Sequence, residues 1–392
     1  VRKARPGYKL VKSLFGKYEE IPEEWELKKI KQLSKVSVGL VINPSTYFDD
    51  SGTVPMITGK HVTENGIVLD DVDFITEKSN NELETTRIWS GDLVTMRVGY
   101  PGRTSVVKHE HNGINCASVI ITRRSKKIIS EFFGYLSNSK LISKQIMMHQ
   151  AGGAQQVVNV SSWKEFLIFL PPIPEQQKIA SILSNVDSLI NQTQKEIEQT
   201  QRLKKGLMQK LLIKGVGKTS IKTSRLDSVV FLQRGHDLPI QDRTNGDVPV
   251  IGSNGIVGYH ETHKVKGPGV VIGRSGTLGK VYYVEEDYWP LNTSLYVKEF
   301  RSSFPKFIYY LLQSLNYEKF NAGTSVPTLN RNYLHPFKMK IPESIVEQQK
   351  IASILSNIDS KIQKQQQYKS KINTLKKGLM QKLLTGKIRV KV

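Results

Sequence analysis

The sequence predicts an α+β protein: two β-rich domains separated by two long helices, packed as an antiparallel coiled coil and related by a pseudo-twofold tandem duplication. Three observations predict it. One helical segment occurs twice, at 175–212 and 347–384, with about 25 of 38 positions identical at a constant offset of 172 residues. The blocks preceding each copy are similar in size and alternate short β-branched runs with turn residues. Those blocks have drifted apart while the helices have not, which implies one scaffold carrying two specificities.

The first copy is preceded by Pro172 and Pro174 and the second by Pro342, where a helix start tolerates proline. Glu175 to Asn185 recurs unchanged as Glu347 to Asn357, and Leu203 to Leu212 as Leu375 to Leu384. Apolar residues follow at three- and four-residue steps: Ile179, Ile182, Leu183, Val186, Leu189, Ile190, Ile197, Leu203, Leu207 and Leu211 in the first copy. This is the seam of a coiled coil, and 38 residues at helical rise would span about 57 Å. Gly206 and Gly378 interrupt it and suggest a kink or a close crossing. The bland alternative is two unrelated amphipathic helices, each packed on its own domain. The ends are invariant and the middle (189–202 against 361–374) diverges, which suggests ends with a shared binding duty and a middle that acts as a spacer.

The organisation expected is an N-terminal extension (1–20), a first β-rich domain (21–171), a first helical spacer (172–214), a second β-rich domain (215–341), and a second spacer with a basic tail (342–392). Strands are predicted at 53–58, 92–96 and 118–122, then at 248–251, 269–273, 280–284 and 294–297. Parallels run in the same order: Val54-Pro55-Met56-Ile57 with Val248-Pro249-Val250-Ile251, Met96-Arg97-Val98-Gly99 with Ile272-Gly273-Arg274-Ser275-Gly276, and Asn115-Cys116-Ala117-Ser118 with Asn292-Thr293-Ser294-Leu295. Little helical periodicity is visible inside either domain.

A formal net charge of +22 calls for a polyanionic partner, nucleic acid or an anionic membrane surface. No apolar run is long enough to span a bilayer, which disfavours the membrane. Residues 199–226 and 360–392 contain no acidic residue, the latter against ten Lys and Arg. A solvated helix face usually mixes signs, so phosphate contact is the reading for these runs. With Cys116 the only cysteine, an internal disulfide is excluded and a cytoplasmic, nucleoid-associated location is expected.

Motifs that would carry catalysis fail on spacing. Gly217-Lys218-Thr219 resembles the end of a phosphate-binding loop, but Leu212 stands where the leading glycine belongs. His260 and His263 lack a third ligand nearby, so no metal is expected. Cys116 has no partner that marks a nucleophile, and core packing is its default role. No catalytic residue is assigned.

The chain resembles the specificity subunit of type I restriction–modification enzymes. The likeness rests on Ile21-Pro22-Glu23-Glu24-Trp25-Glu26, on Leu170-Pro171-Pro172-Ile173-Pro174-Glu175-Gln176-Gln177-Lys178-Ile179-Ala180, on Lys205-Gly206-Leu207-Met208-Gln209-Lys210-Leu211-Leu212, and on Leu383-Leu384-Thr385-Gly386-Lys387-Ile388-Arg389-Val390. The second block departs from it, opening as Thr223-Ser224-Arg225-Leu226 without the Pro-Glu-Glu-Trp run, which leaves its start open. The resemblance implies that each β-rich domain is a target-recognition domain reading one half of a split, asymmetric DNA site. The helices would separate the halves and dock two methyltransferase subunits, which use S-adenosylmethionine to methylate adenine. Two motor–nuclease subunits would join for ATP- and Mg²⁺-dependent translocation and cleavage. No cofactor is expected in this chain itself.

Base readout needs Arg, Lys, Asn, Gln, Ser or Thr at base edges. Candidates in loops beside strands are Lys60, His61, Arg97, Tyr100, Arg103, Gln155 and Gln156, then Asn254, Tyr259, Arg274, Ser275, Thr277, Lys280, Thr324, Asn330 and Arg331. Arg97 and Arg274 stand out because corresponding arginines follow corresponding strands. Candidate docking positions for the partner subunits are Gln176, Gln177, Lys178, Lys205 and Met208 with their repeats Gln348, Gln349, Lys350, Lys377 and Met380. Two rivals from other classes are a coiled-coil assembly adaptor that binds RNA or an acidic protein, and a self-sufficient nuclease.

Overall fold

The computed structural model describes residues 3–12, 18–150, 157–216, 220–320 and 328–391. It divides into two compact units, and the division falls inside both long helices: Val1–Gln192 with Lys369–Val392 form one, Thr193–Tyr368 the other. Each unit therefore holds one β-rich domain, the first half of the helix that follows it, and the second half of the other helix.

In the first unit a four-stranded antiparallel sheet runs in the order Thr104–Val106, Leu93–Met96, Val119–Thr122, Val36–Val38. The middle strands are buried on both faces, which is why they read as continuous apolar runs instead of alternating ones. A three-stranded sheet places Val54–Ile57 between Asn115–Cys116, parallel to it, and Asp73–Ile75, antiparallel to it. The chain enters and leaves the domain side by side, Glu26–Lys29 pairing with Leu167–Leu170. The N-terminal residues expected as an extension form a hairpin, Tyr8–Lys12 against Tyr18–Pro22.

The second unit repeats this plan. Its four-stranded sheet runs Val281–Val284, Gly269–Gly273, Ser294–Glu299, Phe231–Arg234. Val248–Gly252 lies parallel to Trp289–Pro290 and forms a hairpin with Gly255–His260. Ile221–Arg225 pairs with Lys338–Pro342, so the second domain opens at that strand. One expected parallel is corrected here. The partner of Asn115–Cys116 is Trp289–Pro290, because each is the strand parallel to the matching Val54–Ile57 or Val248–Gly252.

Helices inside the domains also depart from expectation. Ser130–Ser137 and Pro305–Gln313 pack on the sheets, and Lys140–Gln150 follows the first of them. Phe132, Phe133, Gly134, Leu136 and Ser137 are all buried, and only a narrow edge with exposed Glu131 and half-buried Tyr135 is left on the first of these helices, which at 8 residues is too short to show a period in sequence.

The long helices are Ile173–Lys214 and Ile345–Leu383. In the first unit Ile179, Ala180 and Leu183 share a core with Leu379, Met380, Leu383 and Leu384, while Asp187 meets Lys376. In the second, Leu207, Met208, Leu211 and Leu212 share a core with Ile351, Ala352 and Leu355, while Lys204 meets Asp359. Position rises along one helix as it falls along the other, so the pairing is antiparallel in both units. Leu203 and Leu375, expected in the seam, face outward at 55% and 56% exposure. Gly206 and Gly378 mark no close crossing, since a Cβ at either position would meet nothing within 4 Å.

Candidate nucleic-acid interface

Arg97 and Arg274 emerge from equivalent strands. Met96 pairs with Val119 and Gly273 with Ser294, at the same end of the same sheet. The Arg97 carbonyl accepts the Val158 N–H at 3.0 Å, and the Arg274 carbonyl the Leu329 N–H at 2.8 Å. The loops that follow share a pattern: Arg97-Val98-Gly99-Tyr100-Pro101-Gly102-Arg103 and Arg274-Ser275-Gly276-Thr277-Leu278-Gly279-Lys280.

The loop is closed identically in both domains. Gly102 N–H donates to the Met96 carbonyl at 2.9 Å and Gly279 N–H to the Gly273 carbonyl at 3.0 Å. Return bonds run from Met96 N–H to the Arg103 carbonyl and from Gly273 N–H to the Lys280 carbonyl, both at 2.8 Å. Gly102 and Gly279 hold φ of 90° and 74°, where a side chain is strained, and an added Cβ would collide with Ile146 or Tyr317. These glycines fix the loop so that its basic and polar side chains project from a rigid base.

Three candidates belong to the first loop: Arg97, Tyr100 and Arg103. Tyr100 is 65% exposed, and the Arg103 guanidinium lies 4.2 Å over its ring. Arg97 is half-buried, with its Nε buried and without a hydrogen-bond partner among the described residues. In the second loop Ser275 and Thr277 are half-buried and Lys280 is exposed. Elsewhere, Lys60 is exposed and donates to the Asp71 carbonyl at 2.9 Å. Asn254 sits at the tip of the Val248–His260 hairpin, with exposed Tyr259 on its second strand.

His61 is corrected: it is 2% exposed, its Nδ1 accepts the Thr58 N–H at 2.9 Å, and burial lowers its pKa, so it closes a turn instead of facing a ligand. Gln155, Gln156 and Thr324 lie outside the described residues.

In the second domain Arg274 lines a cleft of about 790 Å³ with Gln233, Arg234, His236, Asn330 and Arg331. Asn330 is exposed and its Oδ1 accepts the Asn332 N–H at 3.0 Å, which caps a short helix turn. Arg331 lies 5.6 Å over the Phe231 ring. Arg234 and His236 were missed by the sequence reading. The available signal was the polar run Gln233-Arg234-Gly235-His236 at the end of a strand. Arg274 is crowded: desolvation and the neighbouring Arg234 charge both depress its pKa.

The repeated helix ends serve two purposes. Gln176 is buried; its Oε1 accepts the Ile129 N–H at 2.9 Å and its Nε2 donates to the Pro171 carbonyl at 2.8 Å. Gln348 does the same with the Phe304 N–H at 2.8 Å and the Pro342 carbonyl at 3.0 Å. Gln176 and Gln348 are therefore corrected from docking positions to anchors of each helix on its own unit, while Met208 and Met380 are half-buried against the cores. Gln177, Lys178, Lys205, Gln349, Lys350 and Lys377 are exposed.

Glu175, 1% exposed, accepts from Trp25 Nε1 at 2.8 Å and from Arg389 Nε at 2.8 Å. Three of the motifs that carry the resemblance thus meet at one carboxylate. In the second unit, which lacks the tryptophan, the corresponding Glu347 accepts the Val216 N–H.

A family model described as the type I restriction modification DNA specificity domain matches the chain twice, over residues 22–199 and 219–374. The chain belongs to this family. It is a DNA-specificity subunit, the non-catalytic recognition component of a type I restriction–modification system. The type I restriction enzyme MjaVIII specificity subunit of Methanocaldococcus jannaschii is 27% identical over 95% of this chain and 94% of its own length. The EcoKI specificity subunit of Escherichia coli is 24% identical over 49% of this chain and 42% of its own.

Two solved structures share the fold of this specificity subunit. One comes from work on complex assembly and conformational transition of the type I restriction–modification system: TM-score 0.63, 14% identity, 94% of this chain and 99% of that one. The other is the S subunit from M. genitalium: TM-score 0.59, 18% identity, 92% and 96%. Cys116 stays apart from any chemistry, its thiol buried and pushed up to about 12. No helix among the described residues is long and apolar enough to cross a membrane.

Proposed function

We propose that each domain of this specificity subunit reads one half of a bipartite, asymmetric site in double-stranded DNA, which it holds at the edge marked by the loops that begin at Arg97 and Arg274. The observation that carries the reading is the duplicated Arg-x-Gly-x-x-Gly-basic loop, held by the same backbone bonds in two domains of otherwise divergent sequence. A net charge of +22 supports a polyanionic ligand.

The helices set the gap between the half-sites and dock two methyltransferase subunits. Support for docking comes from positions identical in both copies yet exposed in both: Gln177, Lys178, Ser181 and Asn185 with Gln349, Lys350, Ser353 and Asn357. Lys205 and Lys377, beside the open Gly206 and Gly378, extend that set. No contact among the described residues requires these exposed residues to stay alike, and the divergent domains argue against a recent duplication. Two motor–nuclease subunits complete the assembly; S-adenosylmethionine, ATP and Mg²⁺ belong to the partners, and the complex works on the nucleoid in the cytoplasm.

The test is duplex binding by the subunit assembled with its methyltransferase subunits, titrated against salt. A specific affinity that falls steeply with salt on a bipartite sequence is expected. Equal affinity for every duplex, or preference for RNA, would overturn the reading.

A further inference from the structure

Resting on that reading, we infer that the cleft of the second domain reads a G·C pair through Arg234 and Arg331, while Arg97 and Arg274 hold the DNA backbone in both domains. Strand pairing allows the two domains to be matched position by position. Val38 pairs with Ile120 as Arg234 pairs with Leu295. Leu40 bridges to Ala117 as His236 bridges to Leu291. Val158 and Leu329 make the same bond to the two arginine carbonyls, so Asn159 and Val160 stand where Asn330 and Arg331 stand.

The comparison separates what is shared from what differs. Arg97 and Arg274 share position, residue type and backbone bonding. Two domains with different targets cannot discriminate through an identical group, so this pair suits the common task of gripping phosphate. Arg234, His236 and Arg331 are replaced by Val38, Leu40 and Val160, and a group present in only one domain suits the task of telling one half-site from the other. In the first domain the matching positions are apolar, with Leu40 buried and Val38 and Val160 half-buried, and the neighbouring Val41 and Val98 are exposed.

Among the described residues, the cleft's guanidiniums find only weak partners. Arg331 reaches the Leu232 carbonyl and Arg274 the Asn292 carbonyl, each at a long 3.4 Å. Arg234 meets Asp237 only at 3.9 Å, and that carboxylate is already taken up by Asn292 Nδ2. Three guanidiniums therefore line a concave surface with, among the described residues, one distant carboxylate, an arrangement that suits an acceptor-rich partner. Guanine offers O6 and N7 together on its major-groove edge, and a guanidinium fork matches both. Phosphate oxygens are the other source of the same chemistry.

The experiment maps methylated adenines by single-molecule sequencing in cells carrying the whole complex, with the specificity subunit intact or altered. We expect one half-site to hold an obligate G·C pair, and Arg234→Val with Arg331→Val, the residues of the first domain, to relax preference at that pair by about 10- to 100-fold. Arg234→Lys with Arg331→Lys should relax it too, because lysine keeps the charge and loses the fork. Thermal unfolding of both variants checks that they fold. Arg274→Ala should weaken binding to all duplexes and reduce the salt slope by about one. A half-site without any G·C pair, or valine variants that weaken all sequences alike while the lysine variants behave as wild type, would overturn the inference and assign the cleft to phosphate. Methylation without a bipartite motif would instead remove the reading on which it rests.

Discussion

Glu175 is the residue whose loss should be felt most widely, because a carboxylate buried to 1% exposure holds Trp25 and Arg389 at once. Glu175→Ala leaves the Trp25 indole N–H without its acceptor and the Arg389 guanidinium with Glu24 alone, and breaking a buried pair of this kind costs about 3 kcal/mol. Urea unfolding of the isolated subunit measures it, and a loss below about 1 kcal/mol would show that water substitutes for the carboxylate. Cys116 makes the opposite prediction. Burial keeps its thiol protonated far above neutral pH, so the folded protein should not react with a thiol reagent at pH 8, whereas the urea-unfolded chain should react at once. These motifs were legible in sequence as separate strings. Their convergence was not, because Trp25 and Glu175 lie 150 residues apart and nothing local shows that Gln176 turns inward while Gln177 turns out.

Among the elements, the antiparallel helix pair is held in register by the same clasp in both units. Tyr135 Oη donates to Asp187 at 2.7 Å and Lys376 Nζ lies 2.6 Å from that carboxylate. Tyr310 donates to Asp359 at 2.8 Å and Lys204 lies 2.7 Å away. Lys376 is only 15% exposed, so the pair is screened less than a surface bridge. A double-mutant cycle on Asp187→Ala and Lys376→Ala should give a coupling of about 1 kcal/mol, and additive losses would deny the clasp any part in register. The long helices announced themselves through their period. Ser130–Ser137 and Pro305–Gln313 did not, since at 8 and 9 residues each makes little more than two turns, too few for a repeating period to show. Leu203 and Leu375 misled for the converse reason: their spacing fits the seam, yet they point outward.

For the whole molecule, the duplication was plain in the sequence, whereas the arginine cleft was not. Arg234, Arg274 and Arg331 are brought together by strand pairing and not by proximity in the chain. The helices as ruler lead to a prediction at this scale. Deleting seven residues from the middle of each helix keeps the seam in phase and shortens each by about 10 Å, close to three base-pair steps. The preferred gap between half-sites should contract accordingly, as mapped by adenine methylation, and an unchanged gap would contradict the ruler. The central claim, that two equivalent domains each read one half of the target, has a more direct test. Replace residues 221–342 by 26–170 within the intact helical frame, assemble the methyltransferase complex, and map the methylated sequence. The account predicts two copies of a single half-site in place of two different ones. Retention of the original asymmetric sequence would contradict it.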